Sequence, residues 1–220
     1  MIIHRYTGIT WLLMLAICFL GSCTNIDSNQ EPELDSRVKQ FLKSKKGKWR
    51  DNNVPTSDGQ LLFDLIVKRG YTSGLEIGTS TGHSGIWIAW AMSKTGGKLT
   101  TLEVNKERYK EALANFEAAG LSDFIDAKLG DAHKLTKKIE GPYDFVFSDA
   151  DKDWYINYFK DVSPKLQQGG CFTAHNVRPT DSDRGMPATK AYLKYVESLP
   201  EFVTLVDDTG GGLAMSYKLR

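Results

Sequence analysis

The chain contains 220 residues, of which 25% are charged and 41% are hydrophobic, and its formal net charge is +1. This size and composition are typical of a globular protein with one main domain. Because the charges balance and no basic stripe or arm is present, the composition argues against an electrostatic nucleic-acid binder.

The first part of the chain predicts a secretion signal. Arg5 precedes an apolar stretch at 9–20, which is shorter than the about 20 residues of a membrane span. The following Leu20-Gly-Ser-Cys23 resembles the lipobox of bacterial lipoproteins, which implies a signal peptide at 1–22 and a lipid anchor to the cell-envelope membrane at Cys23. Residues 23–33 are polar, contain a proline, and are expected to form a tether. The alternatives are an uncleaved anchor, or a misassigned start codon on a cytoplasmic protein.

Residues 34–220 are predicted to form one domain of alternating helices and strands. Apolar residues spaced three and four apart predict helices at 33–46, 58–69, 82–94, 106–119, 132–139, 154–162 and 187–199. Short apolar runs predict strands at 74–77, 98–104, 124–129, 143–148, 170–174, 202–206 and 213–218. This order indicates an α/β fold with a Rossmann-like, doubly wound, mostly parallel seven-stranded sheet and helices on both faces. A glycine-rich turn at 207–212 predicts a closing hairpin and an antiparallel last strand. Ser57 or Asp58 is expected to cap the second helix.

Polar side chains follow two of the predicted strands. Asp149 and Lys152 come after the run at 143–148, and His175 and Asn176 come after the run at 170–174. In an α/β protein, ligands bind outside the carboxyl ends of the parallel strands. If these two strands are neighbours, the four side chains converge, and the sequence predicts a site that combines a metal ion with a base.

A glycine-containing turn follows the first strand, at 78–82. The dinucleotide-binding fingerprint fails because Ser80 stands where its second glycine should be, and no phosphate-binding lysine motif follows. Backbone N–H groups at the start of the next helix remain suited to a carboxylate or another polar ligand group. Glu103 ends the second strand and is expected to bind ribose hydroxyls, and Asp131 offers a carboxylate near an adenine. Turn glycines and surface acids would explain each feature singly, but not all three at successive strand ends.

From about residue 52 to the C-terminus, these features resemble the cation-dependent O-methyltransferases, a group of class I S-adenosylmethionine-dependent enzymes that includes the catechol and caffeoyl-CoA methyltransferases. The run Asp149-Ala-Asp-Lys152-Asp-Trp-Tyr155 is the most specific part of the resemblance. The other matching segments are Asn53-Val54, Asp58-Gly-Gln-Leu-Leu62, Glu76-Ile-Gly-Thr-Ser-Thr-Gly82-His-Ser84, Glu103, Gly130-Asp-Ala132 and Asn176-Val177.

The resemblance implies S-adenosylmethionine as the cofactor. By matching position, the residues around it would be Val54, Glu76, Gly78, Ser84, Glu103, Ala132 and Asp151, with Asp131 added from its place at a strand end. Asp149 and Asn176 match metal ligands of the family, and Lys152 matches its general base, so Asp149 and Lys152 are the expected catalytic pair.

One position departs from the family pattern. The family usually carries a second aspartate immediately before the asparagine, and this chain has His175 there. Two carboxylates and an amide suit Mg²⁺ or Ca²⁺, whereas an imidazole in place of one carboxylate favours Mn²⁺, Fe²⁺ or Zn²⁺. The expected ligands are Asp149, His175 and Asn176, with three alternatives open: a softer metal, a weakly bound metal or no metal. A histidine that only bonds to a neighbour is the simpler explanation of His175.

The resemblance implies an O-methyltransferase that acts on a small catechol-like or phenolic acceptor. The rival hypothesis is a cell-envelope protein that binds S-adenosylmethionine without transferring its methyl group, since that cofactor is made in the cytoplasm. Arg178 and Arg184 in the loop at 177–186 suggest a preference for an acidic acceptor, unless they are only solvated. Pairing as a homodimer is also open, and no nucleic-acid partner is expected.

Overall fold

The computed structural model describes residues 30–51 and 53–219. In this part of the chain the helices are α1 Gln30–Lys45, α2 Thr56–Arg69, α3 His83–Thr95, α4 Lys106–Ala119, α5 Ala132–Lys138, α6 Tyr155–Val162 and α7 Pro187–Glu197. The strands are β1 Ser73–Ile77, β2 Lys98–Glu103, β3 Ile125–Leu129, β4 Tyr143–Ser148, β5 Leu166–His175, β6 Phe202–Asp207 and β7 Leu213–Lys218. Short 3₁₀ helices lie at Ser122–Phe124, Lys152–Trp154 and Ser163–Lys165.

The predicted signal peptide at 1–22, Cys23 and residues 24–29 of the predicted tether lie outside the described residues. Helix α1 begins at Gln30, so its first turn takes in the last residues of that tether. None of the helices in the described part of the chain has the length and apolarity needed to traverse a bilayer.

The strands form one seven-stranded sheet in the order β3-β2-β1-β4-β5-β7-β6. Strands β1 to β5 run parallel, and β7 is antiparallel to both β5 and β6. The predicted α/β fold with its closing hairpin is therefore confirmed. The strand order reverses direction between β1 and β4, and this topological switch point opens the crevice in which such folds bind their ligands.

Helices cover both faces of the sheet. One face packs against α2 and α3 through residues such as Ile66 and Trp87, and the other packs against α6 and α7 through residues such as Phe159 and Val196. Strand β4 divides its side chains between the two cores, because alternate residues of a strand point to opposite faces. This two-sided burial explains the unbroken apolar run at 145–147 of β4, whereas β1 carries the buried carboxyl group of Glu76.

The start of α2 differs from the prediction. The residue before the helix is Pro55, and no side chain caps the helix end. The expected cap by Ser57 or Asp58 is wrong, because the Asp58 carboxylate turns into the protein and bonds to the imidazole of His175 at 2.8 Å. A buried carboxylate gains more from that charged hydrogen bond than from a solvent-exposed helix end.

Candidate active site

A cavity of about 920 Å³ lies at the carboxyl ends of the parallel strands. This volume falls within the range of about 300–1,000 Å³ that is typical of ligand sites. Most of the residues that the sequence singles out line it, namely Val54, Gly78, Ser84, Glu103, Asp131, Ala132, Asp149, Asp151, Lys152, His175 and Asn176. The cavity is also lined by His133, Tyr158, Met186 and Gly211, for which the sequence predicted no binding role.

The turn after β1 passes close to the end of β4. Gly78 has φ +102°, and a Cβ atom there would lie 2.9 Å from the backbone oxygen of Asp149. Only glycine tolerates both the left-handed backbone and this approach. The turn then leads into α3, whose first backbone N–H groups and positive dipole end lie next to the cavity.

Glu76 is the one predicted cofactor residue that the structure does not bring into the cavity wall. Its side chain is fully buried beneath the turn, where it accepts hydrogen bonds from Ser84 Oγ at 2.6 Å and Thr101 Oγ1 at 2.5 Å. Burial raises the pKa of Glu76 to about 8, although the two hydroxyl donors oppose the rise. This buried carboxyl group, which holds a proton more strongly than an exposed glutamate does, supports the turn from below.

Glu103 is held at the end of β2 by backbone donors. Its two carboxylate oxygens accept from the N–H groups of Ser80 and Asn105, each at 2.8 Å. A carboxylate has about four acceptor positions, so two remain for hydroxyl groups of a ligand. Glu103 thus joins the glycine turn to β2 and keeps acceptor capacity toward the cavity.

The ends of β3 and β4 are connected by His133. Asp131 accepts from the backbone N–H of His133 at 3.0 Å and so caps α5. The imidazole of His133 lies 3.3 Å from Asp151 and stacks on Trp154 with ring centroids 4.3 Å apart. His133 falls in the helix predicted at 132–139, for which the sequence indicated no binding role, and its stacking on Trp154 of the following 3₁₀ helix holds it in the cavity wall.

The other half of the cavity contains a row of charged side chains. His175 Nε2 lies 2.8 Å from Asp58 Oδ2, and His175 Nδ1 lies 3.2 Å from Asp149 Oδ2. The other oxygen of Asp149 pairs with the ammonium group of Lys152. This row joins residues from the start of α2, the end of β4 and the end of β5, as the neighbouring positions of β4 and β5 predict.

Burial and charge act against each other on His175. Burial alone would lower the pKa of the imidazole, but the contacts with Asp149 and Asp58 outweigh it and raise the pKa to about 9. Burial would raise the pKa of Asp58, whereas hydrogen bonds from His175, Gly211 and Ser57 outweigh that effect and lower it. Both carboxylates therefore favour a positive charge on or beside the imidazole.

The residues that could hold a divalent cation are Asp149, His175 and Asn176. His175 Nδ1 is buried and makes no hydrogen bond, although a carboxylate oxygen lies 3.2 Å away. Among the described residues no group of three or more His, Cys, Asp or Glu side chains is arranged as a metal site, so the third donor would be the amide of Asn176. Asn176 follows His175 in the cavity wall and has φ +58°. An imidazole nitrogen with two oxygen donors suits Mn²⁺, Fe²⁺ or Zn²⁺.

Comparisons with known proteins give the family. Residues 24–185 match the family model described as O-methyltransferase. The chain is 32% identical to caffeoyl-CoA O-methyltransferase 2 of Petunia hybrida over 180 residues, which cover 79% of this chain and 73% of that protein. It is 33% identical to caffeoyl-CoA O-methyltransferase of Petroselinum crispum, with the same coverage of 79% and 73%. The chain belongs to the O-methyltransferase family.

The fold comparison agrees with this membership. The crystal structure of an O-methyltransferase from Bacillus cereus, in complex with SAH, superposes with a TM-score of 0.72 and 24% identity, covering 84% of this chain and 91% of that one. At this identity the likeness speaks for the fold. The family membership makes the chain an S-adenosylmethionine-dependent O-methyltransferase, and the resemblance expected from its sequence motifs is confirmed at this level.

The two loop arginines of this O-methyltransferase do not line its cavity. Both pair with Asp208 in the turn between β6 and β7, Arg184 at 2.8 Å, and Arg178 also donates to the backbone oxygen of Gly210 at 2.9 Å. Since their charges are used within the protein, the structure argues against the expected preference for an acidic acceptor. The pairs instead fasten the loop at 177–186 to the turn at 208–212.

Proposed function

We propose that the enzyme transfers the methyl group of S-adenosylmethionine to the oxygen of a small catechol-like or phenolic acceptor. The pair formed by Lys152 and Asp149, which faces His175 at the carboxyl end of β4, is the observation that carries this proposal. The names of the caffeoyl-CoA O-methyltransferases, which are 32–33% identical to this chain, support a phenolic acceptor.

The cofactor would occupy the half of the cavity formed by the ends of β1, β2 and β3. Glu103 would accept the two ribose hydroxyls, as acidic residues do at this position of Rossmann-type sites. Asp131 and His133 would border the adenine. The start of α3 and the turn at Gly78 would hold the carboxylate of the methionine part, because helix N-termini favour anions.

The acceptor would enter from the side of β4 and β5. Methyl transfer is an in-line displacement: the acceptor oxygen forms a bond to the methyl carbon, and the carbon–sulfur bond breaks. The sulfur keeps that electron pair and leaves as neutral S-adenosylhomocysteine. Alignment of donor and acceptor can account for several of the about 7–11 kcal/mol that well-oriented intramolecular reactions gain. The acceptor oxygen reacts as an anion, so its proton must leave first.

Lys152 is the proposed base for that proton. Its side chain is 22% exposed and reaches into the cavity beside Asp149. The amine accepts the hydroxyl proton when it is itself unprotonated, and Asp149 then stabilises the resulting ammonium group. General-base catalysis of this kind typically contributes a factor of about 10²–10⁴.

We propose metal assistance at the same place. Asp149, His175 and Asn176 would hold a divalent cation of intermediate softness, and the cation would stabilise negative charge on the acceptor oxygen. Because an imidazole nitrogen binds a metal only when it carries no proton, cation binding at His175 would release any proton held on Nδ1.

Calorimetric titration with S-adenosylmethionine, followed by detection of S-adenosylhomocysteine with a panel of catechols, tests the proposal. We expect cofactor binding, and product formation from at least one catechol that rises with Mn²⁺, Fe²⁺ or Zn²⁺. Absence of cofactor binding would exclude the proposed function. Binding without methylation of any catechol would favour the rival, a protein that binds S-adenosylmethionine without transferring its methyl group.

The location of the enzyme is a separate proposal. The sequence Leu20-Gly-Ser-Cys23 supports lipidation of Cys23 and attachment to the cell envelope. Labelled palmitate should enter the protein in a bacterial host, and the Cys23→Ala variant should remain unlabelled. Equal labelling of both forms would contradict the anchor and leave a cytoplasmic enzyme as the alternative.

A further inference from the structure

His175 contacts a second carboxylate, that of Asp58, through the ring nitrogen that faces away from Asp149. The two residues are 117 positions apart in sequence, are 4% and 3% exposed, and meet with Nε2 and Oδ2 at 2.8 Å. Asp58 lies on the far side of the imidazole from Asp149, so it takes no direct part in the cavity wall. A buried acid in this position either stabilises the fold alone or determines how His175 is presented.

The hydrogen bonds of Asp58 fix the proton on one nitrogen of the imidazole. Asp58 Oδ2 also accepts from the backbone N–H of Gly211 at 2.8 Å, and Oδ1 accepts from Ser57 Oγ at 3.0 Å. A carboxylate with these donors acts only as an acceptor, so His175 Nε2 must carry a hydrogen. The nitrogen that remains to bind something else is Nδ1, on the side of Asp149.

The space between Nδ1 and Asp149 requires a positive charge. Nδ1 is buried, makes no hydrogen bond, and lies 3.2 Å from Asp149 Oδ2. If neither atom carried a proton or a cation between them, two lone pairs would face each other in a buried place, which is unfavourable. A proton on Nδ1 meets this requirement when no cation is bound, and the 3.2 Å spacing also gives the pair the form of two neighbouring ligands of a cation, with Asp58 as the partner of the opposite ring nitrogen.

The glycine turn between β6 and β7 is shaped around this pair. A Cβ atom at Gly211 would overlap His175 Nε2, and a Cβ atom at Gly210 would overlap Asp58 Oδ1. Two consecutive residues without side chains thus allow the backbone to close over the Asp58–His175 hydrogen bond and keep water from it.

We propose that Asp58 is a positioning residue, which together with the Gly210–Gly211 backbone fixes His175 so that Nδ1 binds a divalent cation beside Asp149. The inference rests on the metal assistance included in the proposed function. It predicts that cation affinity, but not cofactor affinity, depends on Asp58, although Asp58 is not itself a ligand. Loss of such an outer partner typically lowers metal affinity about 10–100-fold.

The test measures Mn²⁺ binding to the full chain by electron paramagnetic resonance. Asp58→Ala should weaken binding about 10–100-fold, and Asp58→Asn should weaken it less, because the amide oxygen still accepts from Nε2. The matched control is Asp64→Asn, which removes the same charge from an exposed position of the same helix and should leave Mn²⁺ binding unchanged. Affinity for S-adenosylmethionine should be the same in all four proteins.

Nuclear magnetic resonance of ¹⁵N-labelled histidine adds a readout that does not depend on the variants. With Zn²⁺ as a diamagnetic cation, His175 should show a hydrogen on Nε2 and none on Nδ1. This measurement decides the matter even if Asp58→Ala does not fold. The opposite protonation pattern would overturn the inference.

The remaining outcomes separate this inference from the proposed function. Equal Mn²⁺ affinity of the wild type and Asp58→Ala, or no Mn²⁺ binding by a wild type that still methylates catechols, would overturn the role of Asp58 and leave methyl transfer in place. Mn²⁺ binding that depends on Asp58, without methylation of any acceptor, would support the positioning role and reject the proposed function.

Discussion

The two halves of the cavity are built in different ways. In the half formed by β1, β2 and β3, the acids are held by nearby backbone N–H groups: Glu103 by Ser80 and Asn105, and Asp131 by His133. In the half formed by β4 and β5, side chains hold one another across long stretches of sequence, as Asp58, His175, Asp149 and Lys152 do. The acids of the first half are positioned by main-chain donors, whereas the arrangement of the second half depends on several side-chain charges at once.

This difference predicts that substitutions in the two halves separate cofactor binding from chemistry. The largest effect is expected for Lys152→Met, which removes the proposed base. The rate of methyl transfer should fall about 10²–10⁴-fold while the affinity for S-adenosylmethionine stays unchanged. Stopped-assay kinetics and calorimetry measure the two quantities. Lys160→Met, a change of the same size on α6, serves as the control, and an equal loss of rate there would contradict the assignment.

Glu103→Gln should produce the reverse pattern. The amide cannot accept hydrogen bonds from both backbone N–H groups and the ribose, and charged hydrogen bonds of this kind contribute about 1.5–3 kcal/mol. The affinity for S-adenosylmethionine should therefore fall about 10–100-fold in calorimetry, with little change in the rate at saturating cofactor. Glu107→Gln, whose side chain is 79% exposed on α4, should behave like the wild type. A cofactor affinity unaffected by Glu103→Gln would separate this carboxylate from the ribose.

Gly211→Ala should damage only the half formed by β4 and β5. The added methyl group would overlap His175 Nε2, and such overpacking typically destabilises a protein by about 1–3 kcal/mol. The midpoint temperature of thermal unfolding and the rate of methylation should both fall, while the affinity for the cofactor is retained. Gly96→Ala strains a left-handed backbone, at φ +74°, but its added methyl group meets nothing within 4 Å, so it should lower stability without affecting the acceptor site. If both variants lose activity equally, the loss reflects general instability.

The smallest effect, counted per pH unit, is the dependence of stability on the protonation of Glu76. Its pKa rises on folding from 4.5 to about 8, so its contribution to stability is fully present below pH 4.5 and is lost as the pH rises through 8. One such group gives a slope of at most about 1.4 kcal/mol per pH unit. Denaturant unfolding between pH 5 and pH 8 should show Glu76→Gln gaining stability relative to the wild type. Glu117→Gln, at an exposed position, should show no such gain, and parallel curves for all three proteins would contradict the burial argument.

The same contrast explains which parts of the fold and of the site could be predicted from the sequence. The strands and the acids of the first half follow from local patterns, because a polar residue after an apolar run lies at the carboxyl end of a strand. Strand β5 was less predictable: it begins at Leu166, four residues before the predicted start, since its polar and glycine residues 167–170 extend the strand without apolar alternation. Leu166 pairs with Tyr143 of β4, and the next pair is Cys171 with Phe145, so residues 167–170 lie where the register between the two strands shifts.

The second half was predictable only in part. Asp149, Lys152, His175 and Asn176 follow neighbouring strands, but Asp58 and Gly211 carry no local pattern that places them beside an imidazole. One clue was present: Asp58 shares a face of α2 with Leu62 and Leu65, so the helical periodicity puts an acid on the buried side. An acid there requires a buried partner, and only the folded chain shows that the partner is His175.

The hydrogen bond between Gly211 and Asp58 spans 153 residues of the chain. A polypeptide is synthesised from its N-terminus, and β1, β2 and β3 emerge before the turn that closes over Asp58. The proposed cofactor half of the cavity thus has all of its main-chain donors early, whereas the proposed acceptor half is complete only when nearly the whole chain has been made. We therefore expect the residues proposed to activate the acceptor to be assembled last.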